Sequence, residues 1–452
     1  MPATTEVGMG RWGLQGWIER WAPAAVFALV LLAQLPLARN PGYFSHDELQ
    51  WAAFAGDSGP IPWVSWIGVD AFQYRPLTFN LWLWLSRELF ARPQALHALL
   101  VAWGATNAAL LCALARRFGL AALPAAIAAL VFALGPYAVY VHGWVATIGD
   151  LAWLSCALLA GLLIAGTGHQ WRAAIVATLA TAIGLLAKEA ALAIPLLLAL
   201  AWWFDGRQRR WAVAMLASGG VAAIYLALRI DALLHAPRDG AQYAPSLAHV
   251  PLRWLEYQWF PLLPQKLEAS TTLAMGIGGS VIAAAVLWLL LLIAVWRSSR
   301  RLTAVFLLGG VAALAPVLLL AGSGNQYAYG FAAITAVVVA GSWRFAPRWG
   351  RGVIVLVAVV SVWHGVNVMR QLRRVGDVQA VFSPALADVL RRRVGPVRLQ
   401  PRDPRDAWIL RRLTHDIQSY DGVAIGNRAT VVDAGAPADF VVLDDGRLSP
   451  MR

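Results

Sequence analysis

Long apolar runs broken by short polar or arginine-bearing turns repeat along most of the chain. Runs such as "AAVFALVLLAQLPLA" and "VIAAAVLWLLLLIAVW" approach or reach the ~20 residues that a helix needs to cross a bilayer. Read against the breaks, the pattern predicts about eleven spans, near 22–38, 95–115, 121–139, 150–167, 172–187, 189–204, 211–229, 272–295, 302–321, 328–343 and 352–369. The first run looks like the apolar part of a signal peptide, but so many similar runs follow that an uncleaved first span is expected. After about Gln371 the pattern turns polar. "SPALADVLRRRV" and "RDAWILRRLTHDI" read as helices, "ATVVDA" and "ADFVVLD" as strands. The expected fold is an all-α polytopic membrane bundle over residues 1–370 with outer-face loops, followed by a small α/β domain over 371–452. No internal repeat or low-complexity tract interrupts it.

Composition agrees with this pattern. The 452 residues are 59% hydrophobic and 13% charged, against about 25% charged in soluble domains. The formal charge of +13 comes from arginines that punctuate the spans, and no basic face interleaved with aromatics points to nucleic acid. The 23 tryptophans fit membrane-interface belts. Cys112 and Cys156 both fall inside apolar runs, so no disulfide framework is expected.

The short loops give an orientation. Arg116 and Arg117, Arg172, Arg207 with Arg209 and Arg210, Arg297 with Arg300 and Arg301, and Arg344 with Arg348 and Arg351 all fall on one side. The opposite turns "YVHGWVATIG" and "GSGNQ" carry no Lys or Arg. Positive charge stays inside, so the N-terminus is expected in the cytoplasm and the C-terminal domain outside. The Arg- and Trp-rich chain reads as bacterial, which makes the membrane a cytoplasmic (inner) one and the outer face periplasmic. The loops 39–94 and 230–271 then lie outside, and "PLRWLEYQWFPLLP" in the second reads as an interfacial aromatic segment.

Predicted span centres hold almost no charge. The outer ends instead hold "SHDELQW" with His46, Asp47 and Glu48, then Asp150, then Lys188-Glu189 in "LLAKEAALAIP". A charged pair inside a long apolar stretch is tolerated only near the headgroups or along a polar cavity. Lys188 and Lys266 are the chain's two lysines. A secondary transporter places its ionisable groups near the midplane on broken helices; this distribution suits a reaction centre at one face.

Four segments occur in order on that face: the acidic pair Asp47-Glu48; Tyr74-Arg75-Pro76-Leu77-Thr78 followed by His97; Pro136, Trp144 and Asp150 at fixed spacing; and Ala187-Lys188-Glu189. Together they resemble GT-C glycosyltransferases, the multispan enzymes that include protein O-mannosyltransferases and the tetratricopeptide-bearing transmembrane O-mannosyltransferases. The resemblance covers about the first 205 residues, and the later spans by topology only. It departs from the family where Ile148 replaces an arginine before the second-loop acid. Asn325 and Gln326 likewise replace Glu-Arg before Tyr327 and Tyr329, and no tetratricopeptide repeat follows.

The resemblance implies a sugar donor carried on a polyprenyl phosphate, delivered to a hydroxyl of an envelope glycan, lipid or protein. An acceptor hydroxyl needs its proton removed as the bond forms, a role expected of Asp47. Glu48 orients it, repels its charge, or faces water, and "SHDELQWAAF" can alternatively open a helix with an N-cap. The departing lipid phosphate gains negative charge, which a fixed cation stabilises; Lys188 and Arg75 are the candidates. Arg238, Arg253 or Lys266 could substitute for the missing family arginines. Asp150 holds the acceptor, orients Lys188, or ligates a divalent metal together with Asp47. Glu189, Trp144, Tyr74 and Tyr327 complete the substrate-binding candidates. His46, His97 and His142 read as structural groups. Two other functions stay open: a transporter or flippase of lipid-linked glycans, and a noncatalytic scaffold presenting the C-terminal domain.

Overall fold

The computed structural model describes residues 9–56, 59–235, 243–274 and 276–451, with side chains from Glu19 onward. Among these residues, seven helices are long and apolar enough to cross a membrane: Pro93–Arg117, Val145–Gly166, Gln170–Ala187, Arg209–His235, Gly279–Ser298, Asn325–Phe345 and Arg348–Arg392. Ala122–Leu134 and Pro136–Gly143, which meet at a 59° bend, make an eighth when counted as one broken span. The expectation of eleven spans is therefore corrected. The run 22–38 is divided at Gln34 between Met9–Ala33 and Leu35–Ala38. The run 189–204 forms only a short apolar helix opened by a tight turn at Glu189–Leu192. The run 302–321 stops as a helix at Leu314, two residues before Pro316, which has no N–H to continue the helical ladder.

The helices start where the sequence supplies a start. Pro76, Pro93 and Pro136 each open one, at a position where a missing N–H costs nothing. Pro93–Arg117 packs against Met9–Ala33, Ala122–Leu134 and Val145–Gly166, and Gln170–Ala187 lies against Val145–Gly166 and Arg209–His235. At one end of the bundle the arginine-bearing turns meet. Arg301 donates to the carbonyls of Trp203 and Phe204, and Phe118 stacks on Trp211 and meets Phe204 edge-on.

The last helix, Arg348–Arg392, is 45 residues long, about 68 Å at 1.5 Å per residue. It runs unbroken through residue 370, where the composition changes. Its distal half (Leu372, Val375, Phe382, Leu386 and Leu390) is buried together with Val397, Leu399, Ile409, Leu410 and Leu413 of the C-terminal unit. That unit is the expected small α/β fold. Strand Val397–Pro401 lies parallel to both Ala429–Val431 and Phe440–Val442, and Leu448–Pro450 pairs antiparallel at the edge. The helix Ala407–Thr414 makes the crossover between the first two strands.

Gly365 shows how tightly the long helix crosses the bend. A Cβ there would collide with the carbonyl oxygen of Leu134. Gly365→Ala is expected to destabilise the bundle by about 1–3 kcal/mol despite the better helix propensity of alanine. Melting temperatures of both forms in one detergent check this; an unchanged value would mean that the crossing is loose.

Candidate active site

The motif "SHDELQW" opens the helix His46–Ala55, with Ser45 as its N-cap in extended backbone. A full capping box forms: Ser45 accepts from the first turn, and Glu48 reaches back to the Ser45 N–H. The two neighbouring carboxylates then part. Glu48 turns inward and is 1% exposed. Its Oε2 accepts from the Phe44 and Ser45 N–H at 2.8 and 2.7 Å, and its Oε1 accepts from the Val145 N–H at 3.0 Å. It thereby ties the first outer loop to the turn that contains Trp144, whose indole N–H donates to Ser45 Oγ at 3.0 Å. The catalytic and capping readings of this motif thus separate: Glu48 is the clamp, and Asp47 faces outward.

Asp47 lines a cavity of ≈ 780 Å³. Its carboxylate accepts from Ser45 Oγ at 3.2 Å and lies 3.4 Å from His46 Nε2. Burial pulls His46 below its usual range, with Asp47 pulling the other way. The remaining wall carries aromatic rings (Tyr140, Trp144, Tyr243, Tyr327), amides and hydroxyls (Ser323, Asn325, Gln326, Asn427, Thr430), and Glu268 with Arg412. Rings together with amides and hydroxyls suit a polyhydroxylated ligand, since they supply both apolar faces and hydrogen-bond partners.

Burial also pushes the Glu48 carboxyl up to about 7, against the three backbone N–H groups that favour its charge. Its folded value therefore stands above the ordinary 4.5, and the folded state holds the proton more tightly than the unfolded chain. The stability this group contributes is fully present below about pH 4.5 and is lost as pH rises through about 7. Glu48→Gln cannot ionise, so its melting temperature is expected to fall less steeply than wild type between about pH 5 and 8. Equal slopes in the two proteins would assign the titration to another group.

The other expected residues gather in a second, buried cluster. Lys188 bonds to Asp150, and the Arg75 Nε donates to Glu189 at 2.7 Å. Thr78 Oγ1 donates to the Ala187 carbonyl at 2.7 Å, fixing the turn before Lys188. Arg229, fully buried, lies 3.8 Å from Glu189 and donates to the Ala71 and Phe72 carbonyls at 2.6 and 2.7 Å. Tyr327 belongs to both groups: it lines the cavity, and its ring centroid is 5.0 Å from Lys188 Nζ.

Asp150, Lys188, Arg75 and Glu189 are therefore brought together, as the sequence led one to expect, but they do not line the cavity beside Asp47. Tyr74 is buried and donates to the Trp66 carbonyl. Arg253 pairs with Glu256 and reaches the cavity only through Ser323 at 3.3 Å. Lys266 offers its backbone carbonyl to His364. Arg238 lies outside the described residues. His97 and His142 are core groups, His97 on the Gly42 carbonyl and His142 between Gln34 and Tyr329.

Asp150, paired with Lys188, does not line the cavity that Asp47 faces. Among the described residues no three His, Cys, Asp or Glu side chains are grouped to hold a metal ion. Glu268, Arg412 and His415 are cavity residues that reading the sequence missed. Asn325 pins the wall by accepting from the Ala269 N–H at 2.6 Å and donating to the Leu267 carbonyl at 2.8 Å. No protein-family model and no curated protein matches the chain.

Proposed function

We propose that the chain is a membrane glycosyltransferase of GT-C type. It moves a sugar from a polyprenyl-phosphate donor to an acceptor hydroxyl on the outer, periplasmic face of a bacterial inner membrane. The observation that carries this reading is Asp47: a carboxylate on a rigid, doubly tied turn, presented to a cavity lined by rings, amides and hydroxyls. As the acceptor oxygen attacks the anomeric carbon, Asp47 takes its proton. The bond from that carbon to the phosphate oxygen breaks, polyprenyl phosphate leaves with the electron pair, and the centre inverts.

The leaving phosphate is assigned to the Tyr327 side. There three cations (Arg75, Lys188 and Arg229) accompany two carboxylates (Asp150 and Glu189), so the cluster keeps one positive charge in excess. Lys188 and Arg75 act through this shared field rather than as free cations. Tyr137 and Gln258 also line a separate apolar cavity of ≈ 390 Å³ among Ile127, Trp288, Phe306 and Phe331, a chemistry that suits an isoprenoid chain. The arginine-rich end of the bundle, taken as cytoplasmic, supports the sidedness.

Comparing surface-glycan masses in cells with and without the gene tests this reading. The expected result is loss of one sugar residue from an envelope component, restored by wild type and not by Asp47→Asn. Unchanged glycans would contradict it. Restoration by Asp47→Asn would point to a flippase, which needs no base.

A further inference from the structure

The cavity is shared between the bundle and the C-terminal unit, and one side chain of that unit reaches across to the bundle. Arg412, on the helix Ala407–Thr414, places its guanidinium 4.0 Å from the centre of the Phe44 ring and 5.7 Å from that of Trp144. It donates to Glu268 at 2.9 Å and to the Tyr140 hydroxyl at 3.3 Å. Phe44, Tyr140 and Trp144 meet one another edge-on, with centroids 5.6, 5.9 and 5.4 Å apart. The three rings form a box, and the guanidinium covers it. Planar cations prefer such faces, and the fork geometry satisfies a carboxylate and a hydroxyl at once.

Each ring belongs to a segment that holds the Asp47 turn. The Phe44 N–H donates to Glu48, and the Trp144 indole donates to the N-cap Ser45. Tyr140 lies on Pro136–Gly143, the helix that leads into Trp144 and the Val145 N–H bound by Glu48. Three residues after Arg412, the His415 ring packs edge-on against His46 with centroids 5.2 Å apart. Docking of the C-terminal unit has other supports: Ile409, Leu410 and Leu413 are buried with the long helix, and Arg374 pairs with Asp406 at 2.6 Å. Arg412 is thus not needed to attach the unit, and its contacts converge on the turn that carries the base.

We propose that Arg412 is a positioning residue of the active site, supplied by the C-terminal domain, which locks the Phe44–Tyr140–Trp144 box and through it aims Asp47. This rests on the reading of Asp47 as the base. A displacement of about 1 Å at a reacting group can cost ~10²-fold in rate. Arg412→Gln is accordingly expected to lower kcat roughly 10- to 100-fold with little change in the KM for donor, and Arg412→Lys to recover only part of it.

The test uses the full chain in nanodiscs and reads two quantities. Hydrogen exchange by mass spectrometry follows residues 43–48 and, separately, residues 386–413. Transfer kinetics use labelled polyprenyl-phosphate hexoses with an envelope extract as acceptor. Arg412→Gln is expected to speed exchange in 43–48 while 386–413 stays protected, together with the fall in kcat. Unchanged exchange in 43–48 would overturn the proposal, as would unchanged kcat with a docked domain. If Arg412→Gln releases the whole domain, Glu268→Gln decides, since it removes the arginine's carboxylate partner from the bundle side. Faster exchange in 43–48 then upholds the proposal, and none overturns it. Absence of transfer by wild type would count against the glycosyltransferase reading, while the exchange arm would still judge Arg412.

Discussion

Asp47→Asn is expected to reduce sugar transfer by about 10²–10⁴-fold, the range over which a positioned base contributes, while leaving the fold in place. The amide has the shape of the carboxylate but cannot accept the acceptor's proton. Stability should change by no more than about 0.5 kcal/mol, as for other partly exposed substitutions that break no buried network. Asp47 is 31% exposed at the side chain, and its contacts are to Ser45 Oγ and His46. The inward clamp belongs to Glu48, which the substitution leaves alone. Transfer rate and melting temperature measured on the same preparation separate the two effects. A folded Asp47→Asn protein that transfers at the wild-type rate would remove Asp47 from the mechanism.

The largest effect on stability is expected at Lys188. Its ammonium and the Asp150 carboxylate form a pair buried at 7% and 0% side-chain exposure. Removing one partner strands the other charge away from water, which typically costs about 3–5 kcal/mol. Lys188→Ala should therefore melt far below wild type or fail to accumulate. A Lys188→Met, Asp150→Leu double replacement strands no charge, and should be markedly more stable than either single change. Transfer by the double variant then divides two roles. Loss of transfer in a stable protein is expected, because the ammonium held 5.0 Å from the Tyr327 ring is removed even though the cluster keeps its single excess positive charge. Full activity would reduce the pair to scaffolding.

Much of the site was legible because local rules govern it. The opening of a helix at "SHDELQW" was legible, and Ser45 and Glu48 stand at the spacing of a capping box; the burial of Glu48 against the Val145 N–H, 97 positions away, was not, and Glu48 neither orients Asp47 nor faces water. Lys188-Glu189 in an apolar stretch marked a place near the headgroups or along a polar cavity. Asp150, 38 positions from Lys188, was among the partners open to it, whereas the pairing of Arg75 with Glu189 across 114 positions was not legible. Arg412 was less legible still, since its partner Glu268 lies 144 positions away and in the bundle.

Span counting went too far because an apolar window does not register where a helix stops. Pro316 ends one run early, and the break at Gln34 is held by a donor bond to the Ala133 carbonyl and a contact with His142. The division at residue 370 followed composition. Beyond it Leu372, Val375, Phe382 and Leu386 keep the spacing of one buried helical face, so the helix continues although the sequence turns polar.

The central claim is that a lipid-borne sugar reaches an acceptor in the Asp47 cavity. The most direct measurement is transfer of label from a panel of polyprenyl-phosphate sugars to an envelope extract by the purified wild-type chain in nanodiscs. The account predicts labelled acceptor and released polyprenyl phosphate in equal amounts, with the anomeric configuration of the transferred sugar inverted. Intact donor after prolonged incubation with every member of the panel would contradict it, as would transfer with retained configuration.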